Sequence, residues 1–214
     1  MASIIPFTTK TKGQNFNYSV VTEKDDFTSN IGRVYLNSGD LDQLQGNEAN
    51  ASYDLRVGDQ YFDIRKVDTS FAVPEGGFIT IKPHQAIIIT TMEEFMFPNT
   101  LFGVIYPRVS MLEKGLANIC SKIDPGFSGQ LRITVFNLGS LPIKLQRGER
   151  FCSLALHNVD SSYRLVPYTS ATRALHGNRK VSPIKRFTSY CIDHPTVITA
   201  SIAIIISIIS LITR

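Results

Sequence analysis

The sequence predicts a mainly β protein, a β-barrel or jelly-roll-like sandwich, with one C-terminal transmembrane helix. Three observations predict it. Short apolar runs broken by Gly, Pro, Asn and Asp fill the middle of the chain, helical periodicity is scarce there, and residues 195–213 carry no charge. Closely spaced turns between short strands are the pattern of barrels and sandwiches, which bury alternate side chains on one face.

Strands are expected near Tyr53–Val57, Gln60–Ile64, Gly77–Ile81, Ala86–Thr91, Leu101–Tyr106, Leu131–Asn137, Ile143–Leu145 and Phe151–Leu156. Turn chemistry separates them, for example Pro74-Glu75-Gly76-Gly77, Pro125-Gly126 and Gln146-Arg147-Gly148, where Pro fixes φ and Gly accepts positive φ. One short helix is expected over Ser110–Gly115, with Ser110 as N-cap and Gly115 past its end. The organisation read this way is an N-terminal extension (1–45), a main β domain (46–180), a basic juxtamembrane linker (181–194) and a transmembrane helix (195–213). The polar stretch 37–47 is expected to be a long loop or a peripheral hairpin.

Composition narrows the class. With 43% hydrophobic and 19% charged residues, the chain can bury a core. Its net charge of +4 is unevenly spread. Lys144, Arg147, Arg150, Arg164, Arg173, Arg179, Lys180, Lys185 and Arg186 face only Glu149 and Asp160 over the same stretch. Such a region suits phosphates or lipid headgroups, although any single member reads first as a solvated surface charge. Nothing in the pattern calls for a nucleic-acid partner. The three cysteines, Cys120, Cys152 and Cys191, are odd in number and lack CxxC spacing. A disulfide framework or structural zinc site is therefore not expected, and a reducing compartment fits. The N-terminus has no apolar signal-peptide core.

The nineteen residues 195–213 include eight isoleucines. As a helix they would extend roughly 28 Å, close to the ~30 Å hydrocarbon core of a bilayer. Small residues Ala200, Ser201, Ala203, Ser207 and Ser210 would let such helices approach one another. Arg179, Lys180, Lys185 and Arg186 precede the segment and only Arg214 follows it. The positive-inside rule then predicts a single-pass, tail-anchored protein with its soluble domain in the cytoplasm.

Several motifs occur in a fixed order. Ala51-Ser52-Tyr53-Asp54-Leu55-Arg56-Val57-Gly58 comes first. Tyr106-Pro107-Arg108-Val109-Ser110-Met111-Leu112-Glu113-Lys114-Gly115-Leu116 follows, then Ile123-Asp124-Pro125-Gly126-Phe127-Ser128-Gly129-Gln130-Leu131 and Val135-Phe136-Asn137. Leu141-Pro142-Ile143, Arg147-Gly148-Glu149-Arg150 and Pro167-Tyr168 complete the series. This series resembles the dCTP deaminase/dUTPase family over about residues 48–180. The resemblance implies a distorted β-barrel of the dUTPase-like type, a homotrimer with sites between subunits, and a pyrimidine deoxynucleotide triphosphate bound with Mg²⁺. It assigns Arg108 and Ser110 to phosphate, where a cation, a hydroxyl and backbone N–H groups meet. Asp124 is the expected catalytic residue, orienting the sugar or holding a water. Arg132 and Tyr168 join the nucleotide-binding set, Tyr168 by covering the base. Asp54 would reach Mg²⁺ through water. Taken singly, Asp54 and Asp124 read as turn carboxylates, and Arg108 as a surface ion pair.

The chain also departs from the family. Deaminases of this kind carry a Glu on the strand after Ile-Asp-Pro-Gly, and that position holds Thr134. A threonine hydroxyl does not act as a base near neutral pH. In the family's R-S-S-x-x-R pattern, Val109 replaces the first Ser and Glu113 the second Arg, placing a carboxylate where phosphate expects a cation. The dUTPase-type Gly-rich C-terminal motif is replaced by residues 170–179, among which His176 is a candidate phosphate contact. Two functions are therefore expected in parallel. One is a dCTP deaminase or dUTP diphosphatase at a membrane surface. The other is a non-catalytic nucleotide sensor whose head controls the membrane segment.

Overall fold

The computed structural model describes residues 4–9, 19–44, 50–66, 68–159 and Tyr168. In chain order the strands are β1 (Ile4–Ile5), β2 (Val20–Val21), β3 (Val34–Asn37), β4 (Tyr53–Asp63), β5 (Ser70–Ala72), β6 (Phe78–Ile81), β7 (Ala86–Met96) and β8 (Leu101–Pro107). The short helix α1 (Val109–Leu112) follows, then β9 (Leu116–Asn118), β10 (Ser121–Ile123), β11 (Ser128–Asn137), β12 (Ile143–Gln146) and β13 (Arg150–Asn158). The chain is mainly β, as the turn spacing predicted.

The main sheet runs β10-β8-β13-β4-β7-β11-β9, with β1, β2, β3 and β5 pairing at its margins, and β12 pairs with β6 separately. Every ladder is antiparallel except β2 with β3. Contacts between β8 and β9 bring the two ends of the order toward each other. The sequence dictates the inward face by period two. Tyr53, Leu55 and Val57 of β4, Leu131, Ile133 and Val135 of β11, and Ile79 and Ile81 of β6 are buried, while Asp54, Arg56, Arg132 and Thr134 point the other way.

Residues ahead of position 46 belong to this same core. Phe7, Val20, Val34 and Leu36 are buried in it, and the Phe7 ring meets Tyr53 with centroids 5.6 Å apart. β3 pairs with the far end of β7, Tyr35 opposite Met96. Burying one such Phe or Leu side chain stabilises by roughly 1.5–3 kcal/mol.

Three local expectations need correction. The two strands foreseen at 53–57 and 60–64 are one strand with a register shift between Val57 and Tyr61. At that shift Gly58 runs close to β7, and a Cβ there would lie 2.6 Å from the Thr90 carbonyl oxygen. The break between them is thus a bulge forced by close backbone approach. Second, the N-cap of α1 is Arg108, not Ser110. Arg108 has extended backbone (φ −84°, ψ 135°) and makes no side-chain cap, because Pro107 and the end of β8 hold the chain extended up to that point. Third, β7, β11 and β13 run longer than their apolar runs suggested, since pairing carries them through polar residues. Gly115, at φ +85°, does end the helical turn, its N–H donating to the Leu112 carbonyl at 2.8 Å.

The segment 195–213 and the linker before it lie outside the described residues, as do His176 and Cys191. Among the described residues no helix is long and apolar enough to cross a membrane. Cys120 is exposed and Cys152 buried, and both are free thiols.

Candidate functional site

Three neighbouring strands build the first half of the site. β13 lies between β8 and β4, and Ser153 sits opposite both Tyr106 of β8 and Asp54 of β4. Arg108, one residue past β8, therefore emerges beside Asp54. Its Nε stands 3.1 Å from Asp54 Oδ2, and its Nη1 donates to the Arg150 carbonyl at 2.7 Å. Ser153 Oγ donates to Asp54 Oδ1 at 2.5 Å. The Nη1 bond uses one of the five guanidinium N–H donors, and the ion pair with Asp54 holds the Nε side. Ser110 is exposed in the first turn of α1, next to this group.

Asp124 and Tyr168 form a second half. Asp124 follows β10 and pairs with Lys122 Nζ at 2.7 Å, an exposed contact of little energetic weight. Its carbonyl accepts the Phe127 N–H at 3.2 Å, closing the Pro125-Gly126 turn. The Tyr168 N–H donates to the Pro125 carbonyl at 2.9 Å, and its ring packs on Phe127 with centroids 5.8 Å apart. The chain beyond β13 thus returns to the turn that carries Asp124.

The two halves do not meet within one chain. β10 pairs with the start of β8, Ile123 opposite Gly103, and Arg108 lies five residues further along. Asp124, one residue past Ile123, runs on in the opposite direction, so at ~3.3 Å per residue its separation from Arg108 is about 20 Å.

Arg132 and Thr134 share the outer face of β11. The Arg132 guanidinium lies 4.9 Å over the Phe62 ring. Thr134 stands opposite Ile88, which stands opposite Phe62, so its cross-strand surroundings are apolar. Glu113 is the C-cap of α1. It lines a groove of about 520 Å³ with Lys114, Gly115 and residues 139–144. That groove is shaped by buried Asn137, whose Nδ2 donates to the carbonyls of Ile81 and Leu141 and whose Oδ1 accepts the Gly139 N–H. Glu113 lies beyond the Asn137 end of β11, so Thr134 is about 10 Å or more away along the strand.

A polar network behind Arg108 escaped the motif reading. Glu93 is fully buried on β7. It accepts from Tyr53 Oη at 3.0 Å, from the Arg56 N–H at 3.0 Å and from Arg56 Nε at 2.7 Å. Burial pushes the Glu93 carboxyl up despite the Arg56 bonds. Burial works against the Arg56 charge, but its bonds to Glu93 outweigh this and raise it. Tyr53 is raised by burial and by the nearby Glu93 charge. Arg56 also reaches the Ser38 carbonyl. Asp40 holds Arg150 through Nη2 at 2.6 Å and Nε at 3.0 Å. The available signal was a Glu at the same parity as Phe95 and Phe97, on the buried face.

Asp54 is not free to serve as a metal ligand. Both Asp54 oxygens are engaged, by Arg108 and Ser153, and among the described residues no three His, Cys, Asp or Glu side chains gather to hold an ion.

The fold is mainly β, with an Arg108–Asp54 ion pair and with Tyr168 docked on the turn that follows Asp124, and comparison with known proteins gives its family. A dCTP deaminase-like family model matches residues 28–159. A dCTP deaminase of Thermococcus gammatolerans is 31% identical over 137 residues, covering 64% of this chain and 82% of that protein. A dUMP-forming dCTP deaminase of Methanobrevibacter smithii is 27% identical over 151 residues, covering 62% and 77%. Among solved structures, the dCTP deaminase of Agrobacterium tumefaciens has 19% identity and a TM-score of 0.46, covering 56% of this chain and 42% of that one. A mutant dUTPase from phage phi11 of S. aureus, described with a structural Mg(II) ion, has 14% identity and a TM-score of 0.45, covering 64% and 99%. This chain belongs to the dCTP deaminase-like family.

Proposed function

We propose that this protein binds a pyrimidine deoxynucleoside triphosphate, dCTP or dUTP, at a site assembled between copies of the chain. The observation that carries this reading is Arg108, clamped on one side by Asp54 and the Arg150 carbonyl and left with donors for phosphate. Arg108 and Ser110 take the phosphates, and Asp124 and Tyr168 take the sugar and base. The ~20 Å between the two halves favours a homotrimer in which each site draws Arg108 from one subunit and Asp124 from the next. Arg132 borders the base side. Mg²⁺, if present, arrives on the triphosphate and screens its charge; Asp54 serves Arg108 instead.

A second feature of the reading concerns turnover. Thr134 stands where deamination needs a carboxylate, with Ile88 across the ladder, and Glu113 is remote from it. The protein is then a nucleotide sensor with little or no deaminase activity. The uncharged segment 195–213 anchors it as a single-pass membrane protein with the head in the cytoplasm, and nucleotide binding is reported to that segment. Incubation of the detergent-solubilised full chain with Mg²⁺ and dCTP or dUTP tests this, following ammonia and pyrophosphate. Nucleotide-dependent thermal stabilisation without ammonia supports the sensor. Ammonia release that disappears in Asp124→Ala replaces it with a deaminase.

A further inference from the structure

Arg108's two anchors, Asp54 and Arg150, are both held by one short turn from the N-terminal part of the chain, the 3-10 turn Leu41–Gln43 with its N-cap Asp40. The Gln43 amide works like a strand partner for Asp54. Its Oε1 accepts the Asp54 N–H at 2.7 Å and its Nε2 donates to the Asp54 carbonyl at 3.0 Å. It is needed because β4 and β7 pair only from Val57 onward. The next N–H of the same parity, that of Arg56, is likewise taken by a side chain, Glu93. Gln43 Nε2 also donates to Asp40 Oδ2 at 3.1 Å, the oxygen that grips Arg150. Leu44, buried in the core, pins the turn in place.

We propose that Gln43 and Asp40 are positioning residues for Arg108. The turn fixes Asp54 through Gln43 and Arg150 through Asp40, and those two fix the guanidinium between them. This inference rests on the reading of Arg108 as a phosphate ligand. A free arginine must surrender considerable rotamer freedom to present a fork to phosphate. A guanidinium already held at Nε and Nη1 has lost it before the ligand arrives, which lowers the cost of binding. The turn itself touches no ligand in this scheme.

The test uses the full chain in detergent, with inorganic tripolyphosphate and deoxycytidine as separate probes in calorimetric titrations, alongside dCTP. Gln43→Leu keeps the bulk and removes the amide. Asp40→Asn is the milder second variant, keeping the shape and removing the charge that holds Arg150. Each is expected to weaken tripolyphosphate binding about 5- to 30-fold and to leave deoxycytidine binding within about twofold. A purely structural role would lower both together, in step with thermal stability. Tripolyphosphate binding that falls in Arg108→Ala but is unchanged in Gln43→Leu and Asp40→Asn overturns the positioning role and leaves the proposed site standing. Dependence on Gln43 without any preference for dCTP over tripolyphosphate upholds positioning and removes the nucleotide reading. No tripolyphosphate binding by the unaltered chain overturns positioning outright.

Discussion

Arg108 on the α1 side of β8 faces Asp54 on β4, Nε to Oδ2 at 3.1 Å, because β13 holds the two strands one position apart on either side of Ser153. The pair is a geometric clamp: the carboxylate holds the Nε side of a partly exposed guanidinium, which in the proposed reading meets phosphate. Arg108→Ala is therefore expected to weaken dCTP binding by about 10- to 100-fold, the range for a charge-assisted bond of ~1.5–3 kcal/mol. Arg108→Lys restores the charge but not the fork, and recovers only part of the loss. Titration of each variant with dCTP checks this.

In the proposed reading, Thr134 holds the position where deamination needs a carboxylate. Thr134→Glu would place a carboxylate beside Ile88, two residues from Arg132 on the same face of β11. A positioned acid–base group is worth about 10²-fold or more in rate. Ammonia release from dCTP in this variant should rise at least that far above the unaltered chain. Glu113→Arg, which alters charge at the far end of α1, should produce no comparable gain.

Glu93 is the buried hub behind the site. Glu93→Ala leaves Arg56 and Tyr53 without their acceptor and is expected to cost about 3–5 kcal/mol, read by denaturant unfolding. Glu93→Gln keeps the shape and changes the pH profile. The Glu93 carboxyl is raised in the folded protein, so the folded state holds its proton more tightly than the unfolded chain. Its contribution is favourable below the ordinary value of 4.5 and is lost as pH rises through the raised value. That downward component should be absent in Glu93→Gln.

Asp40 carries the opposite sign. Burial pushes its carboxyl up, but bonds from Arg150 and Gln43 outweigh this and hold it below the ordinary 3.8. Its contribution is present above 3.8 and is lost as pH falls through the lowered value. Asp40→Asn should flatten the acid limb of thermal stability below about pH 4 while leaving the limb near neutrality unchanged in shape.

Gly58 marks where β4 presses on β7. A Cβ there would meet the carbonyl oxygens of Thr90 at 2.6 Å and Thr91 at 2.7 Å, and backbone cannot step aside as a flexible side chain can. Gly58→Ala is expected to destabilise by about 2 kcal/mol or more, seen as a lowered denaturant midpoint with an unchanged slope.

The parts of this fold that were legible are those with strict alternation. The first half of β4 (53–57), the first part of β8 (101–105) and β11 from 131 to 137 bury every second residue, and their motifs lie where the turns between them put them. β3 went unread because Asn37 and the polar stretch after it dilute its pattern, although Val34 and Leu36 are buried. The bulge at Gly58 imitates a turn, since Gly serves both. For the site, motif order pointed to Arg108, Asp54, Asp124 and Tyr168. It gave no distance, and the ~20 Å between Arg108 and Asp124 follows from strand register alone. Glu93, Asp40 and Gln43 were invisible for a related reason: their partners lie far away in sequence, so no local spacing announces them.

The most direct measurement of the central claim is calorimetric titration of the detergent-solubilised full chain with dCTP and dUTP in the presence of Mg²⁺. Saturable binding of at least one of them is expected, weakened at least tenfold in Arg108→Ala and in Asp124→Ala, with the affinity loss in Arg108→Ala vanishing for deoxycytidine. Absence of saturable binding for both nucleotides, or binding indifferent to Arg108 and Asp124, would contradict it.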